Sequence, residues 1–328
     1  MHWSAENMPG SLVTLSLSRI DTADETFRIS TEPADRALVE SIRQTGLLHP
    51  PILALKNDAA FIIVSGFRRV EALAGMGCVE ISAVVLPGEM DAFSTASLAV
   101  ADNAQHRLLN FIEQARAVAL LSPFFESKKE LSEVCGKLGL SMNPALADRL
   151  ERLLRLPSYV RNLVRDGIIP LTIALTLESM DSESMRAFCQ LFSDLRPTLN
   201  LQKEMLSLIK DIARSEDEPV LRIISEAREA SSSSCPHAGR RERTEFFRDY
   251  CKMRRYPFIR GFEERMSKHL LALNLPENIV LDPPLHYEDT RFTLRFGFRS
   301  IKEFSEGVHH LVALIDNPRL RAILDKSP

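Results

Sequence analysis

The sequence predicts a multidomain α+β protein, and three observations carry the prediction. Residues 1–109 alternate strand-like and helix-like patterns, as an α/β unit does. Residues 110–229 are helix-patterned almost throughout. Residues 256–328 return to a helix–strand–strand–helix order behind a serine- and arginine-rich stretch, 230–255, that reads as a linker. A chain of 328 residues with 45% hydrophobic content is long enough for two or three cores.

The elements follow in order. SLVTLSLSRI alternates apolar and polar residues and reads as a half-buried strand. In ADRALVESIRQTG, Ala37, Leu38, Ser41 and Ile42 have helical spacing, with Gly46 as C-cap. PPILAL and AFIIVSG read as strands parted by Lys56, Asn57 and Asp58. VEALAGMG reads as a helix, VEISAVVL as a β-branched strand, and FSTASLAVADNAQHRLL as a helix. NFIEQARAVALL opens the helical region with Asn110 at the N-cap and Glu113 three residues on, a capping-box spacing. KKELSEVCGKLGLS and NPALADRLERLLRLP, joined through a glycine, fit a helix-turn-helix. SYVRNLVRDG, MRAFCQLFSDL and LQKEMLSLIKDIA continue the helices. Near the end, FEERMSKHLLALNLP and SIKEFSEGVHHLVALI flank two strands. The second of these alternates Phe292, Leu294, Phe296 and Phe298. So small a unit, rich in Phe and Leu, is expected to dimerise, with packing against the chain's own helical domain as the alternative.

Several function classes are disfavoured. Net charge is −3, so any nucleic-acid contact must come from local patches. The five cysteines, at 78, 135, 189, 235 and 251, form no CxxC pair and suggest a reduced, cytoplasmic chain; Cys235 with His237 makes at most half a zinc site. MHWSAENMPG lacks the pattern of a secretory signal, and no apolar run is long enough for a membrane span.

Two segments carry chemistry. In VSGFRRVEAL a strand delivers Ser65 and Gly66 to the start of a helix, where Gly permits a close backbone approach and helical N–H groups face an anion. Arg68 and Arg69 add forked donors suited to phosphate, although a solvated arginine turn has the same pattern. DNAQHRLLNFIEQA offers Asp102, Asn103, Gln105, His106 and Arg107 at the junction of two helices. Asp102 is the candidate to hold a metal or orient a water.

Together these segments resemble the paired motifs of the ParB family of DNA-segregation proteins. The family has a Gly-Glu-Arg-Arg turn, then Glu-Asn-x-x-Arg followed by Leu-Asn-x-x-Glu-x-Ala. Here they read Gly66-Phe67-Arg68-Arg69 and Asp102-Asn103-Ala104-Gln105-His106, with Leu109, Asn110, Glu113 and Ala115 matching the tail. The upstream SIRQTGLLHPPIL is also similar. The resemblance implies a ParB/sulfiredoxin-like N-domain and a CTP-dependent DNA clamp in chromosome or plasmid partition. It further implies CTP and Mg2+ as cofactors, a homodimer held by the C-terminal unit, double-stranded DNA and a ParA-like Walker ATPase as partners, and a nucleoid-associated location. By the same resemblance Gly66, Arg68, Arg69, Asn103 and Arg107 bind nucleotide, Arg28 lies nearby, Asn103 meets the magnesium and Asp102 is the catalytic candidate. Phe67 and Asp102 stand where the family keeps glutamates, so at most a weak CTPase is expected. A transcriptional regulator without clamp cycling, and a nuclease or phosphotransferase on the same fold, are the alternatives.

For DNA, Arg149 and Arg152 repeat at three-residue spacing on the second helix of the pair, Asn143 stands at its start, and Lys137 ends the first helix. These four are the candidate DNA contacts. A structural helix pair with solvated arginines remains the other reading.

Overall fold

The computed structural model describes residues 10–57, 59–88, 90–234, 237–256, 267–282 and 292–324. The chain divides into two compact units, residues 1–206 and 207–328.

The first unit begins with a five-stranded sheet. Its strands are β1 (Ser11–Ser16), β2 (Ile20–Asp21), β3 (Ile52–Asn57), β4 (Ala60–Ser65) and β5 (Glu80–Val85), in the order β1-β5-β3-β4-β2. β1 and β5 are antiparallel, as are β3 and β4, while β3 runs parallel to β5 and β2 parallel to β4. Alternation along the strands divides the core between the two faces. Leu53 and Ile63 point to the face covered by α1 (Arg36–Thr45) and α2 (Phe67–Gly75), where Ile42, Val70 and Leu73 meet them. Ile52 and Val64, one residue along in each strand, point the other way, to Leu98 and Ala99 of α3 (Ala92–His106). Lys56 and Asn57, expected in a turn, extend β3, and Asn57 accepts from the Ala59 and Ala60 amides as the chain enters β4; Asp58 lies outside the described residues. Gly46 closes α1 at φ 78°.

Helices continue the unit: α4 (Phe111–Leu121), α5 (Lys128–Lys137), α6 (Pro144–Arg155), α7 (Ser158–Arg165), α8 (Leu171–Leu177), α9 (Ser182–Leu195) and α10 (Leu199–Glu216), across which the division falls. The capping box forms as its spacing predicts, with the Asn110 side chain accepting from the Glu113 amide and Glu113 accepting from that of Asn110. The α5–α6 turn passes through Gly139 at φ 95°, and Asn143 caps α6 by accepting from the Leu146 amide at 2.8 Å. Leu121, Leu150, Leu153, Phe188 and Phe192 are fully buried between these helices.

In the second unit, α11 (Val220–Ser234) and α12 (Arg240–Arg255) precede an antiparallel pair, β6 (Ile279–Asp282) and β7 (Thr293–Phe296), then α13 (Ile301–Ile315) and α14 (Pro318–Leu324). The stretch 230–255, expected as a flexible joint, is helical over most of its described residues. The serine run extends α11, since serine loses little in a helix interior. Thr244, Phe247 and Cys251 form a buried stripe at spacings of three and four on α12. The arginines around that stripe hide it in the sequence. Arg254 is paired with Glu216 at 2.6 Å and Glu226 at 2.5 Å, so it serves packing rather than a free basic arm. The Phe296 ring lies on α13 where Gly307 leaves room; a Cβ there would clash with the ring. Residues 257–266 and 283–291, which hold the start of the predicted FEERMSKHLLALNLP helix and most of the predicted inter-strand segment, lie outside the described residues, as do most of the N-terminal MHWSAENMPG stretch and Cys235.

Candidate functional site

Strand β4 ends in Ser65, and Gly66 turns the chain into α2 at φ 93°. A side chain at this position would be strained by the left-handed backbone and would also put its Cβ 2.8 Å from Cβ of Pro51. The Gly66 carbonyl accepts from the Arg69 and Val70 amides at 2.9 and 3.0 Å, starting the helix. A cavity of about 330 Å³ opens beside the turn, within the range of small-molecule sites. Gly66, Arg68 and Arg69 line it from one side; Asp102, Asn103 and Arg107, from the end of α3, line it from the other. Two segments more than 30 residues apart in sequence, separated by β5, thus meet in one place.

Each arginine has a definite set of partners. Arg68 reaches the Pro33 carbonyl at 3.0 Å and Asp35 at 2.6 Å. Asp35 is 56% exposed, so that pair is weakly held and an entering anion can compete for it. Arg69 donates to the carbonyls of His49 at 2.7 Å and Pro50 at 3.2 Å, and to Asp102 at 3.4 Å. Burial pushes the Arg69 guanidinium below its ordinary pKa, with Asp102 opposing. Asp102 also accepts a hydrogen bond from the Ser65 hydroxyl. Asn103 donates its amide to the Ala99 carbonyl at 2.9 Å.

Arg107 ties the cavity to α4. It makes two 2.6 Å bonds to Glu113, whose carboxylate also accepts from the Thr31 amide at 3.0 Å and the Asn110 amide at 3.1 Å. Glu113 is 2% exposed. Burial works against its charge, but the Arg107 bonds and the two amides outweigh it and hold its carboxyl below the ordinary value; the same bonds raise Arg107.

The structure does not bring every sequence-predicted residue to the cavity. Arg28 sits over the Phe67 ring, 5.5 Å from its centroid, and pairs with Glu71 at 2.7 Å and Glu25 at 3.2 Å; it does not line this cavity. Phe67 does line it, but at 5% exposed it belongs mainly to the core under α2. Ser30 and His49 line the site and were not singled out from the sequence; Ser65 lines it too and was read at the turn without a site role. Ser65, directly before the glycine, was the one with a readable signal. Among the described residues no group of His, Cys, Asp or Glu forms a metal cage.

The DNA candidates lie on α5 and α6. Lys137 is exposed and Arg149 half-exposed. Arg152 is paired with Glu178, at 2.9 Å from Nε and 2.5 Å from Nη2. Asn143 is exposed, but its carbonyl oxygen caps α6, so a bidentate base contact would have to displace the cap.

Residues 4–104 match the ParB N-terminal domain model. The chain is 29% identical over 230 residues to the "Probable plasmid-partitioning protein ParB" of Thermus thermophilus, covering 59% of this chain and 75% of that protein. It is 28% identical over 180 residues to the "Nucleoid occlusion protein" of Geobacillus thermodenitrificans, covering 55% of this chain and 58% of that one. A C-terminally truncated ParB from Caulobacter crescentus, solved with CTP-gamma-S, aligns over 56% of this chain and 99% of its own at 22% identity, with a TM-score of 0.27. Among the described residues no helix is long and apolar enough to cross a membrane.

Proposed function

We propose, from the membership of residues 4–104 in the ParB N-terminal domain family, that this chain is a partition-type DNA-binding protein that takes CTP with magnesium in the cavity beside Gly66. The observation that carries the nucleotide reading is the convergence of Gly66, Arg68, Arg69, Asp102, Asn103 and Arg107 on that single cavity. The triphosphate would lie against the α2 N-terminus, with Arg68 exchanging the exposed Asp35 for phosphate oxygens and Arg69 held in place by the His49 and Pro50 carbonyls. Magnesium keeps most of its own waters and needs one or two protein oxygens besides phosphates. Asn103 fits that role, since its amide nitrogen is engaged with Ala99 and its carbonyl oxygen is the hard donor left over. The ion would supply charge neutralisation between phosphates.

Asp102 takes a positioning role in this reading. It is held by Ser65 and Arg69, and it orients the guanidinium. With Phe67 in the core, no carboxylate stands at the turn to activate water. Binding with slow or absent hydrolysis is the expected behaviour. DNA would be held through Lys137 and Arg149, with Arg152 contributing on release from Glu178 and Asn143 on release from its capping role. Homodimerisation through the C-terminal unit is supported by the exposed apolar side chains of Ile301, Phe304, Val308, Val312 and Ile315 on α13. A ParA-like Walker ATPase and a nucleoid location complete the proposal.

The test is calorimetry with each of the four nucleoside triphosphates and magnesium, with and without duplex DNA, followed by phosphate release. CTP binding that is lost in Arg68→Ala and Arg69→Ala, with little release, is expected. No binding of CTP under either condition overturns the nucleotide reading, and fast release overturns the account of Phe67.

A further inference from the structure

Residues 33–35 are tied to α2 by two of its side chains, Arg68 and Glu71, which stand one turn apart. Arg68 donates from Nε to the Pro33 carbonyl at 3.0 Å and from Nη2 to Asp35 Oδ2 at 2.6 Å. Glu71 Oε2 accepts from the Ala34 amide at 3.0 Å. The other Glu71 oxygen pairs with Arg28 at 2.7 Å, so Arg28, which does not line the Gly66 cavity, is linked to it through Glu71. The described residues give the Arg68 side chain no other hydrogen bond.

The Asp35 carboxylate divides its two oxygens. Oδ1 caps α1 by accepting from the Leu38 amide at 2.8 Å, and Oδ2 takes Arg68. The first bond starts a helix. The second is not needed to hold α1 to α2, which already meet through Ile42, Val70 and Leu73 and through the Pro33 and Ala34 bonds. An ion pair this exposed contributes little to folding. What it fixes is the place of a guanidinium that lines the cavity. Carboxylate and phosphate offer that guanidinium the same kind of anionic oxygen.

We propose that Asp35 is a positioning residue that occupies Arg68 in place of a phosphate and so sets the affinity of the Gly66 cavity for a polyphosphate, with Glu71 fixing the segment from which it acts. This rests on the reading of that cavity as a nucleotide site. An entering phosphate can displace Oδ2 without disturbing the α1 cap or the Pro33 bond, because these use other atoms. The two carboxylates therefore act with opposite signs. Asp35 competes with the ligand, while Glu71 holds ready the arginine that the ligand needs.

The experiment titrates CTP with magnesium and, separately, inorganic tripolyphosphate into the full chain as wild type, Asp35→Asn, Glu71→Ala, Glu71→Gln and Glu40→Gln, each checked by its urea melt. Asparagine keeps the α1 cap but sets an N–H where Arg68 needs an acceptor. Asp35→Asn should bind both probes about threefold tighter, within the range of an exposed ion pair, and damage to a merely structural residue would not tighten binding. Glu40→Gln removes the same charge from α1 at a residue paired with Arg43, outside the cavity lining, and should bind as wild type. Glu71→Ala should weaken both probes about fivefold, as for one lost hydrogen bond, and Glu71→Gln, which keeps an acceptor for Ala34, should restore most of the loss. If Glu71→Ala does not fold, Asp35→Asn decides alone. CTP binding that Asp35→Asn leaves unchanged or weakens, or that Glu40→Gln tightens equally, overturns the proposal and leaves the nucleotide reading standing. Tripolyphosphate that gains in Asp35→Asn while CTP does not bind keeps the proposal and removes the nucleotide reading. Binding of neither probe to wild type or Asp35→Asn overturns both.

Discussion

Replacing Glu113 by Ala should cost about 4–5 kcal/mol, mostly from what it leaves behind. Breaking a buried pair by removing one partner costs about 3–5 kcal/mol. Arg107 is 38% exposed and can recruit water, so the charge contribution belongs at the low end of that range. The Thr31 and Asn110 amides also lose their acceptor, at about 1 kcal/mol each for partly hydrated groups. The sum approaches the whole stability of an ordinary domain, about 5–15 kcal/mol. The assay is urea unfolding of wild type, Glu113→Ala, Arg107→Ala and the double variant, read as a double-mutant cycle. Removing both partners should be less harmful than the two single changes added together, by more than about 1 kcal/mol. The pH dependence has a definite sign. The folded pKa of Glu113 lies below the unfolded value near 4.5. Its stabilisation is therefore complete above that value and is lost as pH falls through the folded pKa. Glu113→Gln should trail wild type at pH 7 and approach it at low pH. A coupling below about 0.5 kcal/mol, or a Gln deficit unchanged with pH, would refute the picture of a buried acceptor holding α4 to the end of α3.

Three further outcomes follow from the same geometry. Gly66→Ala should lose about 2–5 kcal/mol in a urea melt, from left-handed strain of about 1–2 kcal/mol and overpacking against Pro51 of about 1–3 kcal/mol, and it should also lose CTP binding. Burial pushes the thiols of Cys135 and Cys189 up to about 11 and that of Cys251 up to about 12, so at pH 8 a disulfide reagent should leave these three unreacted until denaturant is added. Val312→Glu on the exposed apolar side of α13 should convert a dimer to a monomer in sedimentation while the α-helical signal is kept; an unchanged dimer would place the interface elsewhere.

What the sequence made legible was local. The strand, glycine and helix of VSGFRRVEAL, the Gly46 cap and the Asn110–Glu113 capping box are each written within a few residues, and each forms as written. Glu113 shows where local reading stops. The capping spacing predicts its bond to the Asn110 amide, but the Thr31 amide is 82 residues away and only tertiary packing brings it there. Arg107 was read as a nucleotide contact without its carboxylate partner for a similar reason: the six-residue separation crosses the break between two helices. Arg28 does not itself line the cavity, and its stacking on Phe67, which does, has no sequence signature. The serine and arginine content of 230–255 suggested solvent, while the period of Thr244, Phe247 and Cys251 carried the helix.

Phe67 turns the difference from the ParB turn into a testable statement about the core. If it were merely a carboxylate exchanged for a ring at the surface, Phe67→Glu would restore hydrolysis at little cost. The ring is 5% exposed, packed with Val70, Leu73 and Ile63, and covered by the Arg28 guanidinium. Removing such a ring costs about 3–5 kcal/mol. A glutamate in its place must either bury its charge or swing out toward Arg28, which Glu71 already holds at 2.7 Å. Phe67→Glu should therefore unfold at distinctly lower urea and release no more phosphate from CTP than wild type. Recovering turnover would require the core under α2 to be refilled as well. A Phe67→Glu protein that keeps its urea midpoint and gains steady CTP hydrolysis would show that the ring is a replaceable surface group.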